Sequence, residues 1–267
     1  MTVFHPSSGF NPKSFSSATL IIPAVSLGNV PQLTADLLIF TLGLKRVGFL
    51  GNGDTVAPFA GVGENGEVAT GGLEVYGQEG SELYVVQQRS PTLKTKKDEN
   101  VSVISEFAQG NEFGFVLVLT SLDSAHQDDV QLLTPYQHIL PPTIVSPVPP
   151  VIQRIKNLPP LSLAISQPSY GPQSTSRYPP FLPAAGLTRR LLSAFSEDQK
   201  KISHGAVTAW CVEGDNRGDA RGLAGIVLGV LGIANDVDIR EPASWEGLFG
   251  TTDGWSGGFG ADAELYG

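Results

Sequence analysis

The chain has 267 residues, 41% of them hydrophobic and 16% charged, with a formal net charge of -9. That length supplies a real core for one large domain or two small ones, and the hydrophobic content excludes a disordered chain. An acidic balance, with no basic cluster larger than Lys94-Thr95-Lys96-Lys97, argues against nucleic acid, whose phosphates demand concentrated Lys and Arg.

The single cysteine, Cys211, excludes an intrachain disulfide and a cysteine-rich zinc site and suits a reducing compartment. Flanked by Ala209, Trp210 and Val212, it reads as an inert core thiol rather than a nucleophile. No basic, then apolar leader is visible at the start. The longest apolar run, residues 222–234, falls short of the ~20 residues that span a bilayer. No membrane contact is expected, and the compartment expected is the cytoplasm and nucleus.

Residues 1–17, rich in Ser, Pro and Phe, read as an irregular lead-in, and residues 18–23 (ATLIIP) as a short buried strand. Gly28-Asn29 then opens a helix with Asn29 as its N-cap and Pro31 in the first turn. Val30, Leu33, Leu37 and Phe40 recur at helical spacing on one face. Gly43 ends it, residues 46–50 form the next strand, and strand–helix–strand predicts a parallel pair. Residues 73–76 and 83–88 read as an antiparallel hairpin across Gly77-Gln78-Glu79-Gly80. A helix over 98–108 precedes residues 113–120 (FGFVLVLT), whose unbroken apolar character suits a central strand covered on both faces.

Residues 141–183 are dense in proline, Ser and Gln without a sustained period, and are expected to form an extended, poorly ordered surface insertion. A helix over 186–196, a strand over 206–212 and a helix over 219–232 follow. In the last, Leu223, Ile226, Val230 and Ile233 make an apolar stripe beside a second stripe of Gly222, Gly225, Gly229 and Gly232. Each glycine costs a helix ~1 kcal/mol, so this face is expected to pack closely on another backbone, either the sheet or another subunit. The chain is therefore expected to be one α/β domain over residues 1–250. Its central mixed, largely parallel sheet would be flanked by helices, and a flexible tail would occupy 251–267.

Several catalytic patterns match in letters alone. Gly61-Val62-Gly63-Glu64-Asn65-Gly66 fits G-x-G-x-x-G but neither leaves a strand nor opens a helix, as a dinucleotide fingerprint must. Gly254-Trp255-Ser256-Gly257-Gly258 fits G-x-S-x-G, yet no histidine follows Ser256, as a nucleophile elbow requires. His5, His126, His138 and His204 lack metal-ligand spacing. Glu213-Gly214-Asp215-Asn216, with Asp219, lies where a strand gives way to a helix, the usual ligand crevice of an open α/β sheet. Helix capping explains it more simply than acid–base chemistry.

Several segments, in order, resemble the proteasome assembly chaperone 2 family. They begin with Ile22-Pro23-Ala24-Val25-Ser26-Leu27-Gly28-Asn29-Val30, Gln32-Leu33 and Asp36-Leu37, then Glu74-Val75-Tyr76 and Gln88-Arg89-Ser90. Asp129-Val130-Gln131-Leu132, Thr134-Pro135-Tyr136 and Gly186-Leu187-Thr188 follow. Glu213-Gly214-Asp215-Asn216 with Ala220 and Gly222-Leu223, Ser244-Trp245 and Leu248-Phe249-Gly250 complete the set. The closing Leu265-Tyr266-Gly267 resembles the hydrophobic-Tyr-any tails that proteasome activators and assembly chaperones insert between α-ring subunits.

The resemblance implies a non-enzymatic chaperone on a phosphorylase- or hydrolase-like α/β fold, without metal or cofactor. It also implies pairing with the related proteasome assembly chaperone 1 and binding to proteasome α-subunits, with Leu265, Tyr266 and Gly267 as the binding tail. The proline-rich 141–183 stretch departs from the family pattern. Two other functions remain open: a phosphorylase-like enzyme using Glu213 and Asp215, and a proteasome activator or adaptor.

Overall fold

The computed structural model describes residues 3–58, 70–129, 131–144, 146–163, 178–197, 202–233 and 237–246. In chain order the elements are β1 (Phe4–Pro6), β2 (Thr19–Pro23), α1 (Val30–Thr41), β3 (Lys45–Leu50), β4 (Leu73–Gly77), β5 (Leu83–Gln88), α2 (Lys97–Gly110) and β6 (Phe115–Asp123). Then come β7 (Tyr136–Ile139), α3 (Pro150–Ile155), α4 (Gly186–Ser196), β8 (His204–Cys211) and α5 (Arg217–Leu231).

The strands make one sheet of eight in the order β1-β3-β4-β5-β2-β6-β8-β7. β5, β2, β6 and β8 run parallel at its centre. The edges are antiparallel: β1, β3 and β4 on one side, β7 on the other. The sheet is thus mixed, as expected, with its parallel character confined to the middle. There residues must be apolar on both faces, and Val116, Leu117, Val118 and Leu119 of β6 are all fully buried.

Alternate residues of the central strands feed two cores. One face takes Leu20, Ile22, Val116 and Val118 with α2, α4 and an aromatic cluster around Phe15, whose ring meets Phe4, Phe107, Phe113 and Tyr84 at 4.7–5.2 Å. The other takes Ile21, Leu117, Leu119 and Val207 with α1, α3 and α5. Of the lead-in, residues 3–17 are described, and Phe4 and Phe15 place it in the first core.

Three sequence expectations are corrected. β2 and β3 point the same way but are not neighbours, because the β4–β5 hairpin slots between them and pairs with both. α1 buries Val30, Thr34, Ala35, Leu37, Leu38 and Thr41, while Phe40 is 38% exposed. The helix has two neighbours, the sheet and α5, and the small Thr34 and Ala35 let them approach.

The third correction concerns 141–183. Residues 150–155 are a helix whose Val151, Ile152 and Ile155 are buried in the second core. Leu161 N–H donates to His138 O and His138 N–H to Pro159 O, so this segment extends the β7 edge. Arg154 donates to the terminal carbonyls of α5, Val230 O at 2.6 Å and Leu231 O at 3.0 Å, the favourable place for a cation at a helix C-terminus. Short apolar runs between prolines suffice here because they dock on a finished surface. Residues 164–177 lie outside the described residues.

Candidate functional site

The C-terminal ends of the parallel strands bring together segments remote in sequence. Beyond β2, Ser26 Oγ lies 2.8 Å from Ser121 Oγ of β6 and accepts from Ser121 N–H, while the Ser121 hydroxyl donates to Leu27 O at 2.5 Å. Gly28 has φ +63, and a Cβ there would stand 2.4 Å from Asn216 Nδ2. Only glycine tolerates both the left-handed backbone and that contact. Asn216 is 2% exposed and donates to Gly214 O at 2.9 Å. The loop after β2 and the loop after β8, the two most distinctive blocks of the sequence, are therefore clasped together.

Asn29 occupies the N-cap position of α1, as expected, but does not cap with its side chain. Its backbone is left-handed (φ 52) and its side chain makes no capping bond, because the chain must turn sharply to lay Gly28 on Asn216. The carboxylate loop does not supply the side-chain cap expected of it: the N-cap of α5 is Asn216, whose side chain makes no capping bond, and Asp215 instead engages Arg217. Asp215 accepts from the Arg217 backbone N–H at 3.1 Å and from its guanidinium at 2.7–3.1 Å. Those bonds from Arg217 hold the Asp215 carboxyl below its ordinary value, so it is an engaged anion, ill-suited to accept a proton. Asp219 is shifted upward by desolvation, and Glu213 is exposed.

A second cluster lies beside this clasp. Glu74 is fully buried in β4 and accepts from Arg46 Nη1 at 3.1 Å, Gly71 N–H at 3.3 Å and Tyr76 Oη at 3.0 Å. Arg89, just past β5, stands 3.4 Å from Glu74 and 3.0 Å from Asp36 of α1. Burial works against the Arg89 charge, but Asp36, Tyr76 and Glu74 outweigh it and raise the guanidinium above the ordinary arginine value. Sequence reading took Glu74 and Tyr76 as part of a hairpin strand and of a family-like segment, not as members of a charge network. The available signal was a carboxylate flanked by apolar residues, since a buried charge requires partners.

The other sequence candidates stay apart. Cys211 is buried near Leu27 O, and desolvation pushes its thiol up to about 11. His138 and His204 each place Nδ1 2.8 Å from a carbonyl, Leu158 O and Ile202 O. Burial lowers the pKa of both imidazoles. Among the described residues no group of three His, Cys, Asp or Glu side chains could hold a metal ion.

The glycine stripe of α5 meets the sheet only at its first member, and there at a side chain of β7 rather than at backbone. Gly222 faces the Tyr136 phenol, Gly232 is the left-handed C-cap, and a Cβ at Gly229 would meet nothing within 4 Å. The tail Leu265, Tyr266 and Gly267, and both glycine-rich catalytic look-alikes, lie outside the described residues.

Comparison with known proteins places this architecture. The sequence profile of the PAC2 family matches residues 20–253. The chain belongs to the PAC2 family. Its relatives include "Proteasome assembly chaperone 2" of Xenopus laevis, 31% identical over 251 residues that make up 88% of this chain and 93% of that protein. The mouse protein of the same name is 30% identical over 248 residues, 87% of this chain and 92% of its own length.

Among solved structures, Pyrococcus furiosus PbaA, described as an archaeal homolog of proteasome-assembly chaperone, superposes with a TM-score of 0.59 at 15% identity, covering 84% of this chain and 86% of its own. Pyrococcus furiosus PbaB, described as an archaeal proteasome activator, gives 0.55 at 14% identity, over 89% and 92%. At such identities these two structures establish the shared fold of this PAC2-family chain.

Proposed function

We propose that this chain is a proteasome assembly chaperone. It acts without catalysis, as a heterodimer with the related proteasome assembly chaperone 1, and binds α-subunits while the core-particle ring is built. The observation that carries this reading is similarity to chaperones of that name along about nine-tenths of their length. The site supports it chemically: the carboxylate best placed for catalysis, Asp215, is neutralised by Arg217. Leu132, Leu133 and Val212 are 64%, 84% and 62% exposed. They leave the β7–β8 pair at one end, next to the loop after β8, so that corner offers apolar surface suited to protein contact.

Leu265, Tyr266 and Gly267 add a second attachment point. Tyr266 packs its ring in a groove between α-subunits while Leu265 buries apolar surface, worth ~1.5–3 kcal/mol when complete. One tail binds weakly, and two tails plus a docked body gain through effective concentration. The expected compartments are the cytoplasm and nucleus.

A native pull-down comparing the full chain with one lacking Leu265, Tyr266 and Gly267 tests the reading. Recovery of α-subunits and a related partner, weakened by truncation, supports both the chaperone role and the tail. Equal recovery removes the tail from the mechanism. Recovery of neither refutes the assembly role. The similarity in fold to PbaB favours one second reading, a proteasome activator. It predicts altered peptide hydrolysis with unchanged assembly when the chain is deleted.

A further inference from the structure

The connection from β6 to β7 crosses the end of β8. Asp123 is the register partner of Cys211, and Trp210 N–H donates to Pro135 O at 3.1 Å. Leu132 and Leu133 therefore lie at the same end of the sheet as Val212. These are the three most exposed large hydrophobic side chains among the described residues.

The turn that carries the two leucines is held in place. Gln131 is 3% exposed, its backbone N–H donates to Asp128 Oδ1 at 2.9 Å, and its Oε1 accepts from Asp128 N–H at 3.1 Å. Its Nε2 donates to Ser162 O, and its carbonyl accepts from Gln127 Nε2 at 3.2 Å. A buried amide so fully bonded fixes the Gln131–Leu133 turn, so Leu132 and Leu133 are displayed by an ordered backbone. A surface ordered beforehand loses little freedom on binding, and an exposed apolar patch with a polar rim marks an interaction site.

The rim here is acidic. Asp129 and Glu213 are exposed, and Asp123, Asp128 and Asp219 are partly so. Their charges converge on the end of β8: burial first, with Asp219 and Asp123 adding to it, raises the Cys211 thiol, and burial with Asp219 raises the Tyr136 phenol. Among the described residues none of these five carboxylates is in an ion pair. The arginines of α4 and α5 are engaged elsewhere. Arg217 meets Asp215, Arg221 stands 3.8 Å from Asp238 and Glu241, Arg190 meets Asp98, and Arg189 lies over the Phe181 ring. No lysine or arginine occurs between Lys97 and Arg154.

Charge selects the occupant. A second copy turned on the same corner would set acid against acid, and nucleic acid or an anionic lipid surface would also meet like charge. We propose that this corner docks a protein partner whose apolar contact surface is ringed by lysine and arginine. Leu132, Leu133 and Val212 supply the apolar centre, and Asp129 and Glu213 pair with the cations at its edge. The proposal rests on the assembly reading and deepens it by naming the surface chemistry of its partner.

The native complex is recovered from cells through the full-length chain, and the α-subunits and related partner chain in it are quantified by mass spectrometry. A carbodiimide, which joins a carboxylate to a lysine amine in direct contact, is then applied. Links are expected from Asp129 or Glu213 to lysines of one of those proteins. Asp129→Lys with Glu213→Lys, both at exposed positions, is expected to lower recovery of the linked protein about tenfold. Leu133→Ser carries the same expectation without a change of charge, and keeps the test should the double variant fail to fold. Glu79→Lys with Glu82→Lys makes the same change of charge at the exposed β4–β5 hairpin and is expected to leave recovery unchanged. Undiminished recovery by the corner variants, an equal loss in the hairpin control, or links from these carboxylates to a second copy of this chain would each overturn the proposal, while recovered α-subunits keep the assembly reading. Recovery of neither α-subunits nor a related chain by the unaltered protein refutes the assembly reading and this proposal with it.

Discussion

Replacing Glu74 by Ala removes the one carboxylate that joins Arg46, Tyr76, Gly71 and Arg89. Breaking a buried ion pair costs ~3–5 kcal/mol, because the surviving charge keeps its desolvation penalty. Here the two guanidinium side chains retain 30% and 26% exposure, and Arg89 still has Asp36 at 3.0 Å. The low end applies, so the expected loss is about 3 kcal/mol. At ~2–4 °C per kcal/mol for a domain of this size, the melting temperature should fall by roughly 6–12 °C. Glu74→Gln keeps the volume and one acceptor oxygen but turns an N–H₂ toward Tyr76 and Arg89. It should lose less, about 1–2 kcal/mol. Urea unfolding of the three proteins at unchanged slope measures both differences. A loss below about 1 kcal/mol for Glu74→Ala, the scale of a surface ion pair, would refute the claim that this network is desolvated.

Gly28→Ala, which combines a left-handed φ with a Cβ 2.4 Å from Asn216, should cost about 1–3 kcal/mol by chemical denaturation, and Gly53→Ala, which is left-handed but spatially open, should cost less. His204 has its folded pKa depressed below 6.5 by burial. The unfolded chain therefore binds the proton first, and stability is full above 6.5 and falls as pH drops through the folded value. A His204→Gln variant should show a shallower loss of melting temperature on acidification through that window. Cys211, 3% exposed with its thiol pushed up to about 11, should react with a thiol reagent at neutral pH only after denaturant is added. Rapid labelling of the native chain would contradict its placement.

The local elements were legible because their signals are local. The apolar run of β6 and the β4–β5 hairpin across Gly80 (φ +76) were written in consecutive residues. So were the ends of α1, α2, α4 and α5 to within a few positions. At the Asp215 loop the carboxylate two residues ahead of α5 finds its donor in Arg217, although the N-cap, Asn216, makes no side-chain capping bond. The face of α1 was misjudged at Phe40, because a helix pressed between a sheet and another helix buries a wider arc than a single stripe predicts. The docked helix of 150–155 escaped notice because six residues are too few to establish a period.

The sequence by itself determined the class of fold, the kinds and approximate limits of most of its elements, though not of β1, β7 and α3, and, through blocks such as Ala24-Val25-Ser26-Leu27-Gly28-Asn29 and Glu213-Gly214-Asp215-Asn216, its family. Only the tertiary structure decided that β4 and β5 lie between β2 and β3 and that Gly28 is seated on Asn216. It alone decided that Asp36, Glu74 and Arg89 share one charge network. The physical reason is range. Helix and strand periodicity is set by neighbours a few residues apart, whereas strand order and charge pairing arise only when segments separated by tens or hundreds of residues are brought within hydrogen-bonding distance.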